Sequence, residues 1–278
     1  FMQQKTIQLS EIIVGNSAAY IQKVYDRIKD NLIGNYTIDF FLRNVLKQEK
    51  ETIVLQDLSG KKNQNISSKD KISIEILNMR KVKLYDKKEG IDFKFQNFEE
   101  ISNLVAPSPS GCNFTEIEFN DENYKKIEFE SKNKNTQGLG IKGYLVINKK
   151  DLAIVEFKMS SDIDTDLLPY SKFMLSKVKY RTPEWTKHIK FIKDVASNKY
   201  YPVSLKMDVK VEVVTDKKSF YFNNSIDLFT TSAPRDEKII PNFSTDKDLF
   251  KAKFIYSADF WKSQNQLPLT KELDTFLK

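Results

Sequence analysis

Cysteine and histidine are almost missing from this chain: 278 residues contain one Cys, Cys112, and one His, His188. A lone cysteine cannot close an internal disulfide, and the pair cannot supply a zinc site built only from His and Cys ligands. A Ser-His-Asp triad would have to use His188, and no nucleophile elbow accompanies it; its ordinary reading is a surface or strand-end residue. No apolar run reaches the length of a membrane-crossing helix. Glycine and proline are scarce, at 8 each, and no fixed-period repeat is visible.

Charge and aromatics are plentiful instead. The 45 Lys and Arg stand against 38 Asp and Glu, a net +7 spread over a mixed surface that argues for solubility more than for a polyanionic partner. Basic stretches at 80–88 and 125–134 are interrupted by acids and lack regularly spaced stacking residues, so no nucleic acid is expected. The 20 Phe and 12 Tyr, within a 40% hydrophobic composition, can furnish a sizeable core. The chain opens at Phe1 and not Met, so a preceding segment, a targeting signal among the alternatives, is expected to have been removed, and location is not readable from these residues.

The organising stretch is 138–160, GLGIKGYLVINKKDLAIVEFKMS, which reads as two strands joined by a polar turn at 148–151. Gly138, Gly140 and Gly143 open a strand and not a helix, so they allow a bend and do not cradle phosphate. Residues 114–119 and 124–131 extend the hairpin into an antiparallel meander. Ahead of it, residues 5–14 look like an extended arm. A helix over 18–33 follows, with Ile21, Val24, Tyr25, Ile28 and Leu32 on one face and Gly34 at its end.

Period-two alternation from Tyr36 to Arg43 marks a strand with one buried face. Residues 59–70 read as a polar loop. The alternation at Ile72, Ile74 and Ile76 slips at Leu77, which suggests a bulge or two strands. A short helix is expected within 93–104, and the Pro107–Pro109 segment is the strongest breaker. Residues 171–181 form a strand that Thr182-Pro183-Glu184 should end; 187–195, 204–214 and 220–229 are strands, the last two a hairpin. A final helix follows Pro268. The expectation is α+β: a mostly antiparallel curved sheet in one domain, 17–278, preceded by the arm 1–16.

Sites are sparse. Asp162, Asp164 and Asp166 imitate the start of a calcium loop, but Leu167 and Phe173 occupy the positions that need Gly and Glu, so a solvated acidic turn is the better reading. Glu99 and Glu100 are neighbours and point apart, unlike a glycosidase pair. No metal, cofactor or catalytic set is assigned, and the chain is read as non-enzymatic.

Four segments together resemble a known family: LSEIIV before the helix, Asn35-Tyr36 with the FFLR at 40–43, the GYLVINKKDLAIVEF hairpin, and FWKSQNQLPLTKEL at 260–273. They are similar to the region that follows the carboxypeptidase-regulatory-like sandwich in exported Bacteroidota envelope proteins. The sandwich is absent, and Asn44 replaces the acid after Arg43. The resemblance implies a lipoprotein-carrier-like half-barrel, an antiparallel sheet around an apolar concavity closed by helices. It also implies a periplasmic location, or a peripheral one on the periplasmic side of the outer membrane. Ile21 and Tyr25 on the opening helix, with Pro107 and Pro109 in the loop, become candidate lids. Phe260 and Trp261 become candidate partner contacts. The first expectation is an accessory subunit of an outer-membrane transport, secretion or assembly complex. The alternative is a carrier of a lipid or acyl chain, which requires an apolar concavity able to admit one.

Overall fold

The computed structural model describes residues 17–65, 72–83, 96–103, 106–172, 177–252, 256–264 and 267–277. The arm at 5–14 lies outside them. Eleven strands build one antiparallel sheet: β1 Asn35–Gln48, β2 Glu51–Asn65, β3 Ile72–Lys83, β4 Cys112–Ile117, β5 Tyr124–Ser131, β6 Leu139–Asn148, β7 Ala153–Ile163, β8 Ser171–Lys172, β9 Lys179–Lys193, β10 Tyr200–Val214 and β11 Ser219–Thr230. Their order is β3-β2-β1-β11-β10-β9-β7-β6-β5-β4, with the short β8 beside β9. The ends do not pair with each other, so the sheet is curved and unclosed, a half-barrel.

Register assigns every side chain to one of two faces. One row crosses the whole sheet from Met79 through Leu58, Leu42, Leu228, Leu205, Ile189, Phe157, Leu145 and Ile127 to Glu116. That face carries the core. Two helices, α1 Ser17–Asp26 and α3 Phe98–Ser102, lie on it, with α2 Ile28–Asn31 at one end and a 3-10 helix at Leu249–Lys251. The opposite face is charged except where α4 Ala258–Ser263 and α5 Lys271–Leu277 cover β1 and β2.

The central hairpin forms as its pattern predicts, with Asn148 opposite Ala153. Gly143 has a specific cause: a Cβ there would lie 2.0 Å from the Lys158 carbonyl and 2.8 Å from the Phe129 ring. Its absence lets Phe129 stack on Phe157, centroids 6.2 Å apart. The slip at Leu77 is a bulge. Ser59 pairs with Asn78 and Gly60 with Ile76, leaving Leu77 unpaired and 48% exposed.

Three local expectations are corrected. The opening helix is not continuous over 18–33; it breaks after Asp26, and Leu32 turns into a bridge with Tyr200. The polar segment at 59–65 is strand and not loop, because β1 and β3 pair with it on both sides. Pro183 does not end its strand: β9 runs through it where the β9–β10 register shifts, a site that needs no donor. The alternation of β1 also understates its burial, since both faces are covered from Phe40 to Asn44.

The C-terminal segment closes one edge. Asn242 bonds to the backbone of Ile76, and Phe243 bridges Ile74 on the outer side of β3. An edge strand left bare invites pairing with other chains. The far edge, β4, is only six residues long.

Candidate ligand-binding face

The helix-bearing face carries the main apolar cluster of the described residues. On it, α1 buries Ile21 and Val24 completely and half-buries Tyr25. The Tyr25 and Tyr20 hydroxyls are enclosed without partners. Burial raises the Tyr25 phenol well above its ordinary range, with nearby Cys112 adding to the effect. Lys125 lies over the Tyr20 ring, 4.7 Å from its centroid. α1 therefore covers the β4–β5 end of the face.

α3 covers the middle. Asn97 and Glu100 form a reciprocal capping box at its start. Phe98 and Ile101 are fully buried, and the Phe98 ring packs 5.3 Å from Phe40. Two polar ties hold this short helix to the sheet. Lys187 Nζ donates to the Glu100 carbonyl at 3.0 Å and to the Asn103 carbonyl. Asn224 Nδ2 donates to Gln96 Oε1 at 3.1 Å.

Pro107 is buried and Pro109 half-buried in a turn that leads into β4, closed by bonds from Gly111 and Cys112 to the Ser108 carbonyl. Of the four expected lid residues, Ile21 and Tyr25 thus lie on a covering helix, whereas Pro107 and Pro109 belong to a strand entry. The expected partner contacts separate as well. Trp261 is 6% exposed, with its ring 6.3 Å from Phe41 and under the Arg80 guanidinium at 4.6 Å. It is a packing residue and not the exposed aromatic expected; Phe260 beside it is half-buried.

The face is filled. The apolar hollow between α2 and the sheet, lined by Leu32, Leu152, Ile154, Phe191 and Tyr200, has a volume of about 10 Å³, enough for one water at most. A larger groove of about 280 Å³ lies mainly on the opposite face, where Lys47, Glu184, Asp208 and Lys210 make it polar. Neither hollow is an open apolar concavity. The reason is physical: short helices from three separate segments carry enough Ile, Val, Phe and Leu to occupy it.

His188 is mid-strand in β9, on the charged face, with Nε2 2.7 Å from Glu156 Oε1; Tyr144 donates to the same oxygen at 2.8 Å. Although burial opposes it, the hydrogen bonds from Tyr144 and His188 leave the Glu156 pKa below its usual value. Asp162 is taken up by Lys134 and Lys142, and no group of three metal-ligating side chains exists among the described residues. Nor is any helix among them long and apolar enough to cross a membrane.

Two lysines on the apolar face were missed by sequence reading. Burial lowers the pKa of Lys62 to about 8 and that of Lys187 to about 8. Folding thus disfavours the charged form, and the unfolded chain binds more protons between about pH 8 and the free-lysine value near 10.4. Stability should rise with pH from 8 to 10, where tyrosine ionisation in the unfolded state begins to oppose it. Urea midpoints across that range check this; a flat profile in the Lys62→Met, Lys187→Met double variant is expected.

No family model matches the chain, and no curated protein matches it. Among solved structures it is similar to lipovitellin, with 8% identity, a TM-score of 0.34 and coverage of 87% of this chain. It is similar also to a LolA superfamily protein from Nitrosomonas europaea, with 7% identity, a TM-score of 0.30 and coverage of 79% of this chain and 94% of that one. The chain spans 29% of the lipovitellin chain. Both likenesses are too distant to carry a role from one protein to the other.

Proposed function

We propose that this chain is a non-enzymatic carrier of an acyl chain or similar apolar ligand, bound between the sheet and its covering helices. The observation that carries the reading is the cover itself. Among the described residues, an apolar face ten strands wide is covered by helices of 10, 4 and 5 residues and a 3-10 turn, and by no second sheet. Helices this short have little stability of their own and hold their place by contacts with the face. A ligand offering equivalent apolar contact can exchange with them. Because the face is filled, the ligand enters by displacing α1 or α3 and not by occupying a standing void.

The proposed place of this activity is the periplasm or the periplasmic side of the outer membrane, and the resemblance to exported Bacteroidota proteins supports it. The competing reading, an accessory subunit of an outer-membrane complex, drew in part on exposed aromatics near the tail, and Trp261 is buried.

The test is uptake by the full chain. Titration with a fluorescent sixteen-carbon fatty-acyl probe should show saturable binding near one per chain, with the far-UV β signal unchanged. A native mass spectrum of the same sample should carry the matching adduct. Linear, unsaturable partitioning of the probe would rule the carrier out.

A further inference from the structure

The same face contains a group of polar atoms that the protein leaves without partners. Asn44 on β1 is fully buried and neither Oδ1 nor Nδ2 has a hydrogen bond. Directly across on β2 is Gln56, also fully buried; its Nε2 donates to the Leu249 carbonyl at 2.8 Å, but its Oε1 is orphaned. On the other side, β11 places Asn224 opposite Leu46, diagonal to Asn44 on the same face. Asn224 is 7% exposed, and beyond its bond to Gln96 its Oδ1 is orphaned too.

These amides form a floor, and the roof is known. The segments that Gln56 and Asn224 reach, at Leu249 and Gln96, are themselves joined by a bridge between Asn97 and Asp248. Asn44 sits between the two ties with nothing above it to bond. Each enclosed polar atom without a partner costs roughly 1–3 kcal/mol, and native proteins seldom leave one, so four in three neighbouring side chains are a large concession. An apolar residue at position 44 would remove half of it.

We propose that this cluster is the seat for the polar head of the carried ligand, and that the head is an uncharged, hydroxyl-bearing group such as a glycerol ester. The inference rests on the carrier reading and goes further by naming the head. The chemistry follows from the orphans, which are three acceptors and one donor. A carboxylate only accepts and would satisfy the Asn44 Nδ2 alone, while bringing a buried charge. The lysine in the same row, Lys187, lies three strands away and already donates to two carbonyls. Hydroxyls both donate and accept, and two of them pair with the Asn44 Nδ2 and with two of the three acceptors, three of the four orphans.

The experiment compares three probes of equal chain length on the full chain by displacement of the fluorescent acyl probe: 1-monolauroylglycerol, methyl laurate and lauric acid. Monolauroylglycerol should bind about tenfold more tightly than the other two, the expectation for one well-placed hydrogen bond to a group otherwise unpaired. Asn44→Leu should abolish that preference, bringing monolauroylglycerol to the affinity of methyl laurate in the same variant. Asn224→Leu should weaken the preference in the same direction, and serves if Asn44→Leu does not fold. Equal affinities of wild type for all three probes, with Asn44→Leu merely raising the melting temperature, would assign the cluster to buried water and overturn the head-group site while leaving the carrier intact. Failure of every probe to bind overturns both.

Discussion

Asp57→Ala should lower unfolding free energy by about 3–5 kcal/mol, the largest loss expected of any single polar substitution in this chain. Asp57 is fully buried on the face opposite the core helices and is shared by two guanidinium groups. Arg43 reaches it with Nε at 2.8 Å and Nη2 at 3.0 Å, and Arg80 with Nε at 2.7 Å. Arg43 also donates to the Pro268 carbonyl at 3.0 Å, which ties the tail down, and Trp261 closes over Arg80. Removing the carboxylate leaves two enclosed cations with one fewer counter-charge, a state far worse than removing all three groups together. Urea denaturation should show a lower midpoint for Asp57→Ala, with much of the loss restored by adding Arg43→Met and Arg80→Met. An unfolding free energy within about 1 kcal/mol of wild type in the single variant would show that the network is solvated and not structural.

Phe98→Ala should cost about 3–5 kcal/mol at the contact itself, but the loss should be local. The ring is fully buried against Phe40 and is one of two apolar anchors of α3. With it gone, a five-residue helix retains Ile101 and the ties from Lys187 and Asn224, less than it needs to stay closed. Amide exchange over 98–103 should accelerate by at least a hundredfold, with β10 and β11 still protected, and an apolar dye should bind the uncovered face. If exchange rises equally across the sheet, α3 is part of the cooperative core, and ligand entry beneath it is not available.

The FFLR segment illustrates how far residues alone lead. Alternation from Tyr36 identified the strand, and family resemblance drew attention to Arg43, but neither gave the arginine a task. Its task depends on Asp57 and Arg80, contributed by two other strands, and on a carbonyl 225 positions away. Trp261 is the converse. An aromatic pair near a chain end suggests an exposed contact, and only the register that brings Phe41 to the same face shows that the tail folds back to bury it.

Asn44, Gln56 and Asn224 were silent for a related reason. Asn and Gln in a strand of mixed pattern signal a wet face, and nothing local reports that a roof from 96–98 and 248–249 will enclose them. The strand at 59–65 was hidden similarly: Gly60 and Lys62 have poor strand propensity, and pairing on both sides outweighs it. Gly60 is required there, since a Cβ would lie 2.3 Å from the Glu75 carbonyl.

The sequence by itself determined what is local: the strands with clean alternation, the central hairpin, the meander 112–163, the amphipathic character of α1 and the mostly antiparallel, single-sheet class. It could do so because side-chain period and turn chemistry act over a few residues. The tertiary structure decided what is non-local: that the apolar face is filled by helices, that the tail wraps the β3 edge, that Asp57 is shared, and that three amides lie together without partners. Those outcomes depend on strand order and register, which bring residues more than two hundred positions apart into contact and which no local pattern encodes.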